Sequence, residues 1–333
     1  MSDPEQAVAG PAGPAPLRPA RSLRRTSTVD MLWPEGVGSL LQLDGNARDA
    51  VTRDPQQAPI VVGRASASVG IAPGRKIVSI SSLPERNNIE QLVGCQGGGH
   101  LRAALDHALP GERAAGTPLY LLLDDISGCS LIAGFVVTRW PELLPPADQR
   151  RRMEMEGICI GFAPGSTSLV EHRSGEATHR VQQVGSLINP DDPHGWHVLP
   201  TLPPLSMRRA RRIDVWRDGD TITIDSAFQD TAGDPELDRI AVHEYRLEAT
   251  ADAETLTLQS VTADPRVLPF LECPSAKYSA SSLVGTPLAD LRLTVLERLG
   301  RTNGCTHLND ALRALAEVPI LLDELDRTLA LRP

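Results

Sequence analysis

The chain has 333 residues, 41% of them hydrophobic and only 3% aromatic, with a formal net charge of −9. That length allows roughly two domains, with a core made mostly of Leu, Val, Ile and Ala. The acidic balance excludes a general nucleic-acid binder, whose phosphate contacts need a basic surface.

Residues 1–20 are rich in Pro, Ala and Gly and lack the continuous apolar stretch of a signal peptide; they are expected to form a disordered arm. The first half, 21–138, opens on Arg24-Arg25-Thr26-Ser27-Thr28-Val29-Asp30, followed by Trp33. Alternating apolar and polar residues predict strands over Leu41–Asp49, Ala65–Ile71 and Lys76–Ile80. Leu92-Val93-Gly94 then leads into an amphipathic helix from Leu101, and Leu123-Asp124-Asp125 closes the half, the paired Asp reading as a helix cap. Residues 139–205 hold Pro- and Gly-rich punctuation and read as a linker, with one strand-like run at Met155–Phe162.

The second half, 206–325, repeats this order. Arg208-Arg209-Ala210-Arg211-Arg212-Ile213-Asp214 matches the first Arg cluster, read as a solvated positive strip. Strand patterns follow over Ile222–Asp230, Glu244–Ala249 and Thr255–Val261. Leu283-Val284-Gly285 leads to helical spacing from Leu288, and Leu308-Asn309-Asp310 closes the match. The fold class implied is α+β, as two tandem diverged copies of a small antiparallel sheet with helices on one face.

Chemistry is expected in the second half. Cys305, in Gly304-Cys305-Thr306-His307-Leu308, falls at a helix start, where backbone N–H groups favour the thiolate and should lower the thiol pKa. Cys273 precedes a proline in a loop, and His243 opens a strand. His243, Cys273, Cys305 and His307 form a candidate Cys2His2-type set for zinc or iron, with Asp225 as an added carboxylate. The spacing is not that of a zinc finger, and buried thiols with hydrogen-bonded histidines fit it equally. Five widely spaced cysteines do not make a disulfide framework, which points to a reducing cytoplasm. No segment is expected to supply the ~18 apolar residues of a membrane helix.

Ile224-Asp225, Val242-His243-Glu244, Cys273-Pro274 and Gly304 to Leu308 together resemble a bacterial domain-of-unknown-function family, numbered 2889, over about 209–321. That resemblance implies a family and no activity. A more distant likeness is to the NifU/IscU-type iron–sulfur scaffold fold, in which His243, Cys273 and Cys305 fall at similar places; it implies a retained metal or iron–sulfur site. Three functions stay open: a metal-binding domain, a cofactor-free enzyme (lyase, isomerase or hydrolase type) acting on a small apolar or aromatic acid, and a non-catalytic interaction module. The partner is expected to be a small molecule or a protein, with neither nucleic acid nor membrane involved.

Overall fold

The structure, a computed structural model, describes residues 8–143, 155–174 and 180–331. The first half folds as an antiparallel meander of β1 (Ser22–Leu32), β2 (Leu41–Thr52), β3 (Ile60–Ala72) and β4 (Lys76–Leu83). After a two-residue strand, β5 (Gln182–Gln183), a second meander follows: β6 (Ser206–Asp218), β7 (Thr221–Asp234), β8 (Asp238–Asp252) and β9 (Leu258–Val267). β1 and β6 pair antiparallel along their length, so both meanders run on into one nine-stranded sheet. The molecule is thus α+β with antiparallel pairing, in one large sheet where two small ones were expected.

Five of the six alternating runs lie inside strands. The sixth starts late: Leu256 takes a left-handed φ of 53° in the turn, so β9 begins only at Leu258. Met155–Phe162 is not a strand, because Gly157 turns the chain at φ 79° and Ile160–Phe162 is a tight helical turn.

The helices are α1 (Leu101–Ala108), α2 (Glu112–Ala115) and α3 (Pro118–Ile132) after the first meander, and α4 (Thr167–Ser174) in the linker. After the second meander come α5 (Leu291–Arg298), α6 (Thr306–Ala314) and α7 (Val318–Ala330). On one face, α3 packs on β1–β3, α6 on β7 and β8, and α7 on β1 and β6. Thr117 caps α3 by accepting from the Tyr120 N–H at 3.1 Å, and Pro118 at the first helical position needs no donor. The helical run Pro118–Arg139 is, contrary to expectation, long and apolar enough to cross a membrane, but most of it is buried in the fold. Asp124 and Asp125, read as caps, stand in the middle of α3 and are buried there.

The two central strands show little hydrophobic alternation because many of their buried residues are charged. Side chains alternate between the faces of a strand. On the face away from the helices, Arg24 pairs with Asp214 and Arg208 with Asp30, each at 2.6 Å and directly across the β1–β6 ladder. The second Arg cluster is therefore no solvated strip: Arg209 and Arg212 are 1% and 2% exposed.

On the helix face, the inward side chains of β1 and β6 include Leu23, Val29, Met207 and Ile213, but their middle rows carry Arg25, Arg209 and Arg211. These meet Asp124, Asp125, Asp310 and Glu317 from the helix layer, joined by Arg102, Arg292 and Arg313 and by Asp49 and Asp230 from the sheet. Six guanidinium groups thus face six carboxylates between two apolar clusters, one under each half. Burying such charges is tolerable only because each is paired. Gly128 of α3 makes room for this band: a Cβ there would lie 2.2 Å from Arg209 Nη1.

The opposite face is covered by the arm and the linker. The arm is ordered from residue 8, correcting the expected disorder over that stretch, because it has partners. Arg18, 2% exposed, holds Asp192 at 3.0 Å, and Ala12 N–H donates to Glu244 at 2.7 Å. Residues 1–7 of the expected arm lie outside the described residues. From the linker, Trp196 packs on Ala210, and the His197 ring bridges the Thr26 and Thr28 hydroxyls at 2.9 Å each.

Candidate functional site

β7 and β8 build the floor of the site, and the start of α6 forms its roof. Period-two alternation along β7 sends Ile224, Phe228 and Asp230 toward the helices and Asp225 to the far face. On β8, His243 and Tyr245 point the same way, His243 five residues into the strand and not at its opening. Cys305 is the N-cap of α6, so the next turn carries His307 over His243 and sets Cys305 against Tyr245. Gly304 is needed for this entry: a Cβ there would sit 2.5 Å from the Leu299 carbonyl oxygen.

His243 and His307 stack with ring centroids 3.4 Å apart and planes 15° from parallel. His307 Nε2 lies 3.5 Å from Asp230 Oδ2. One ligand-type atom from each of Asp230, His243 and His307 lies within 4.8 Å of the other two. Asp230 is fully buried and is gripped by Arg209, Nε on Oδ1 at 2.8 Å and Nη2 on Oδ2 at 2.9 Å. Burial, with the nearby charges of Arg209 and Arg211, pushes the His307 pKa well below its ordinary value, so the imidazole is neutral.

The four residues singled out from the sequence thus divide into two neighbouring groups. His243 and His307 meet, with Asp230 as their carboxylate. Cys273 and Cys305 belong to a thiol group with Cys159, around the buried Tyr245 hydroxyl. Asp225 stands on the opposite face, held by Arg212 at 2.5 Å and Arg246 at 2.6 Å, and takes no part. Asp230 was missed, though it falls on the same alternation as Ile224 and Phe228. Cys159 carried no signal, since only the tertiary fold brings the linker to Cys273: both sulfurs flank Gly161.

All five cysteines are free thiols. Cys305 does not have the lowered pKa expected at a helix start. Burial pushes the thiol up, against the Leu308 and His307 N–H groups and the Tyr245 hydroxyl. Burial likewise raises Cys273, and pushes Cys159 up to about 12. Thiol chemistry needs the thiolate and access, so the native protein should react with one equivalent of iodoacetamide, at the half-buried Cys95. The other four should react only after unfolding; rapid native labelling of Cys305, read by peptide mass, would contradict this burial.

Residues 207–321 match the model of a family described as a protein of unknown function (DUF2889). This segment is a DUF2889 domain. No curated protein and no solved structure matches the chain. The DUF2889 domain begins in β6 and ends in α7, so it contains Asp230, His243, Cys273, Cys305 and His307. It does not contain Asp124 and Asp125 of α3, nor Cys159 of the linker, which the domain contacts from outside the matched segment.

Proposed function

We propose that this chain is a metal-binding protein whose centre is Asp230, His243 and His307, holding one zinc or iron(II) ion. The observation that carries this reading is the approach of one carboxylate and two imidazoles to within 4.8 Å. Two histidines and one carboxylate with open positions are a donor set for non-haem iron, and the same N/O donors suit zinc. The neutral state of His307 supports it, because an imidazole ligates through an unprotonated nitrogen. Bound there, the ion would supply a Lewis acid or an activated water. The chain's own contribution is positioning. Arg209 orients Asp230, and the α6 entry fixes His307.

An imidazole lone pair lies in its ring plane, so two near-parallel stacked rings cannot both point at one ion. Loading would therefore require one ring to turn, with Asp230 still held by Arg209. The thiol group is not needed as a ligand set in this reading. The rival reading, favoured by Arg209 holding both Asp230 oxygens, is a purely structural contact that seats α6 on β8.

Untagged protein loaded with zinc or iron(II) and desalted should retain about one ion per chain by elemental analysis. His307→Ala and Asp230→Asn should each lower retention at least tenfold, with Cys273→Ser unchanged. Metal-free protein at every loading, or retention that depends on Cys273 and not on His307, overturns the assignment.

The matching Arg24–Asp214 and Arg208–Asp30 pairs also support a common origin for the two meanders, in which the Asp230 centre is peculiar to the second.

A further inference from the structure

Arg48 of β2 and Arg64 of β3 stand directly opposite each other on the face away from the helices. Like charges in that position repel, since opposed Cβ atoms are only about 5 Å apart. Arg48 is 7% exposed, and among the described residues its Nε has no hydrogen-bond partner. Its Nη2 donates to the His194 carbonyl oxygen at 2.7 Å. Arg64 is exposed, and among the described residues neither arginine forms an ion pair. The neighbouring carboxylate, Asp192, is held by Arg18 through two contacts of 3.0 Å. Arg208, nearby, is spent on Asp30.

The arginines of β1 and β6 on this face each have a carboxylate: Arg24 has Asp214, Arg208 has Asp30, and Arg212 has Asp214 and Asp225. The second meander shows what the same place holds when it is filled from within. Ala210, Gln229 and Glu244 stand across β6, β7 and β8 as Thr26, Arg48 and Arg64 stand across β1, β2 and β3. There Glu244 accepts from Gln229 and from the arm at Ala12. The first meander offers two cations in place of that amide and acid, and among the described residues no carboxylate pairs with either. Asn46 and Ser66, two residues along the same strands, face the same way and add neutral hydrogen-bonding groups.

We infer that Arg48 and Arg64 form a binding site for a dianionic oxyanion, a phosphate or dicarboxylate group, separate from the Asp230 centre and on the other face of the sheet. Two guanidinium forks side by side match such a group in charge and in donor geometry. The buried Arg48 supplies the fixed half of the site, and the exposed Arg64 closes over the anion from the rim.

The test uses the full chain in phosphate-free buffer, titrated calorimetrically with inorganic phosphate and, separately, with malonate. One saturable site is expected for at least one of them, weakened at least tenfold in Arg64→Gln and lost in the double variant Arg48→Gln/Arg64→Gln. The two titrants tell a phosphoryl ligand from a carboxylate one. Without anion, Arg64→Gln should melt no lower than the parent, because it removes a repulsion and no contact. Absence of saturable binding by both anions, or binding unchanged in Arg64→Gln, overturns the inference. So does an anion-free Arg64→Gln that melts well below the parent, since Arg64 would then have an internal partner.

Discussion

Arg209→Met is expected to destabilise the protein by roughly 3–5 kcal/mol, the range for breaking one side of a buried ion pair. Arg209 is 1% exposed and holds Asp230 through two bonds. It also reaches Asp125 at 3.2 Å and Asp310 at 3.3 Å, and its guanidinium lies 4.8 Å from the Phe228 ring centre. Methionine restores the packing volume but leaves Asp230 with a charge and no cation. Arg217→Met is the contrast: its ion pair with Asp326 is 38% and 48% exposed, and solvent screening holds its worth to about 0–1 kcal/mol. Urea unfolding followed by far-ultraviolet circular dichroism gives both values. The double variant Arg209→Met/Asp230→Leu should recover much of the loss, because the penalty comes from the stranded carboxylate more than from the missing pair. Equal midpoints for Arg209→Met and Arg217→Met would mean that the charged band contributes nothing specific.

The strands flanking the centre were legible in the sequence because one of their faces is apolar. Leu41, Leu43 and Ala47, or Ile222, Ile224 and Phe228, lie an even number of residues apart, so each set shares one face and meets helices. β1 and β6 were not, because a strand whose inward residues are Arg25 or Arg209 looks polar throughout. Only the register, which sets Arg24 on Asp214, shows that these charges are matched. The same holds for Asp124 and Asp125: their Arg partners come from Arg102 to Arg313, far apart in the chain. The Gly-Cys-Thr-His segment did announce a helix entry, and α6 begins there. What it concealed was depth. Helix-start stabilisation of a thiolate falls off within a turn and is modest, whereas full burial of a thiol carries a larger penalty on its charge, so Cys305 moves up and not down. The grouping of His243 with Cys273 was drawn from ligand-type residues and a distant likeness, and neither records that His243 and Tyr245 are two rungs of one strand with different helix residues above them.

Acid should weaken the fold in two stages, and the first belongs to histidine. His197 is 7% exposed, and burial, with the charges of Arg48, Arg208 and Arg64 added, lowers its pKa to about 3. In the unfolded chain the ring titrates near 6.5. Between those values the unfolded state binds a proton that the folded state refuses, so stability falls as pH falls, by about 1.4 kcal/mol per unit for each such group. His307, lowered for the same first reason, acts in the same direction. The second stage is carboxylate. Burial opposes the charge on Asp124, but Arg313, Arg292 and Arg102 outweigh it and hold the carboxyl well below its usual range. A depressed carboxyl contributes its full stability above the unfolded value near pH 4, and that contribution is lost progressively below it until pH has fallen through the folded value. Glu244 runs the other way: burial raises it, so mild acid relieves its charge in the folded state. Between about pH 4.5 and pH 6 the two histidines therefore lower the unfolding free energy as pH falls, and Glu244 offsets part of that slope. His197→Gln keeps hydrogen-bonding groups for Thr26 and Thr28 but cannot take up a proton in that range, so its slope should be smaller by one proton. A slope left unchanged by that substitution would mean that His197 is already charged within the folded sheet, which its two threonine contacts and three neighbouring arginines argue against.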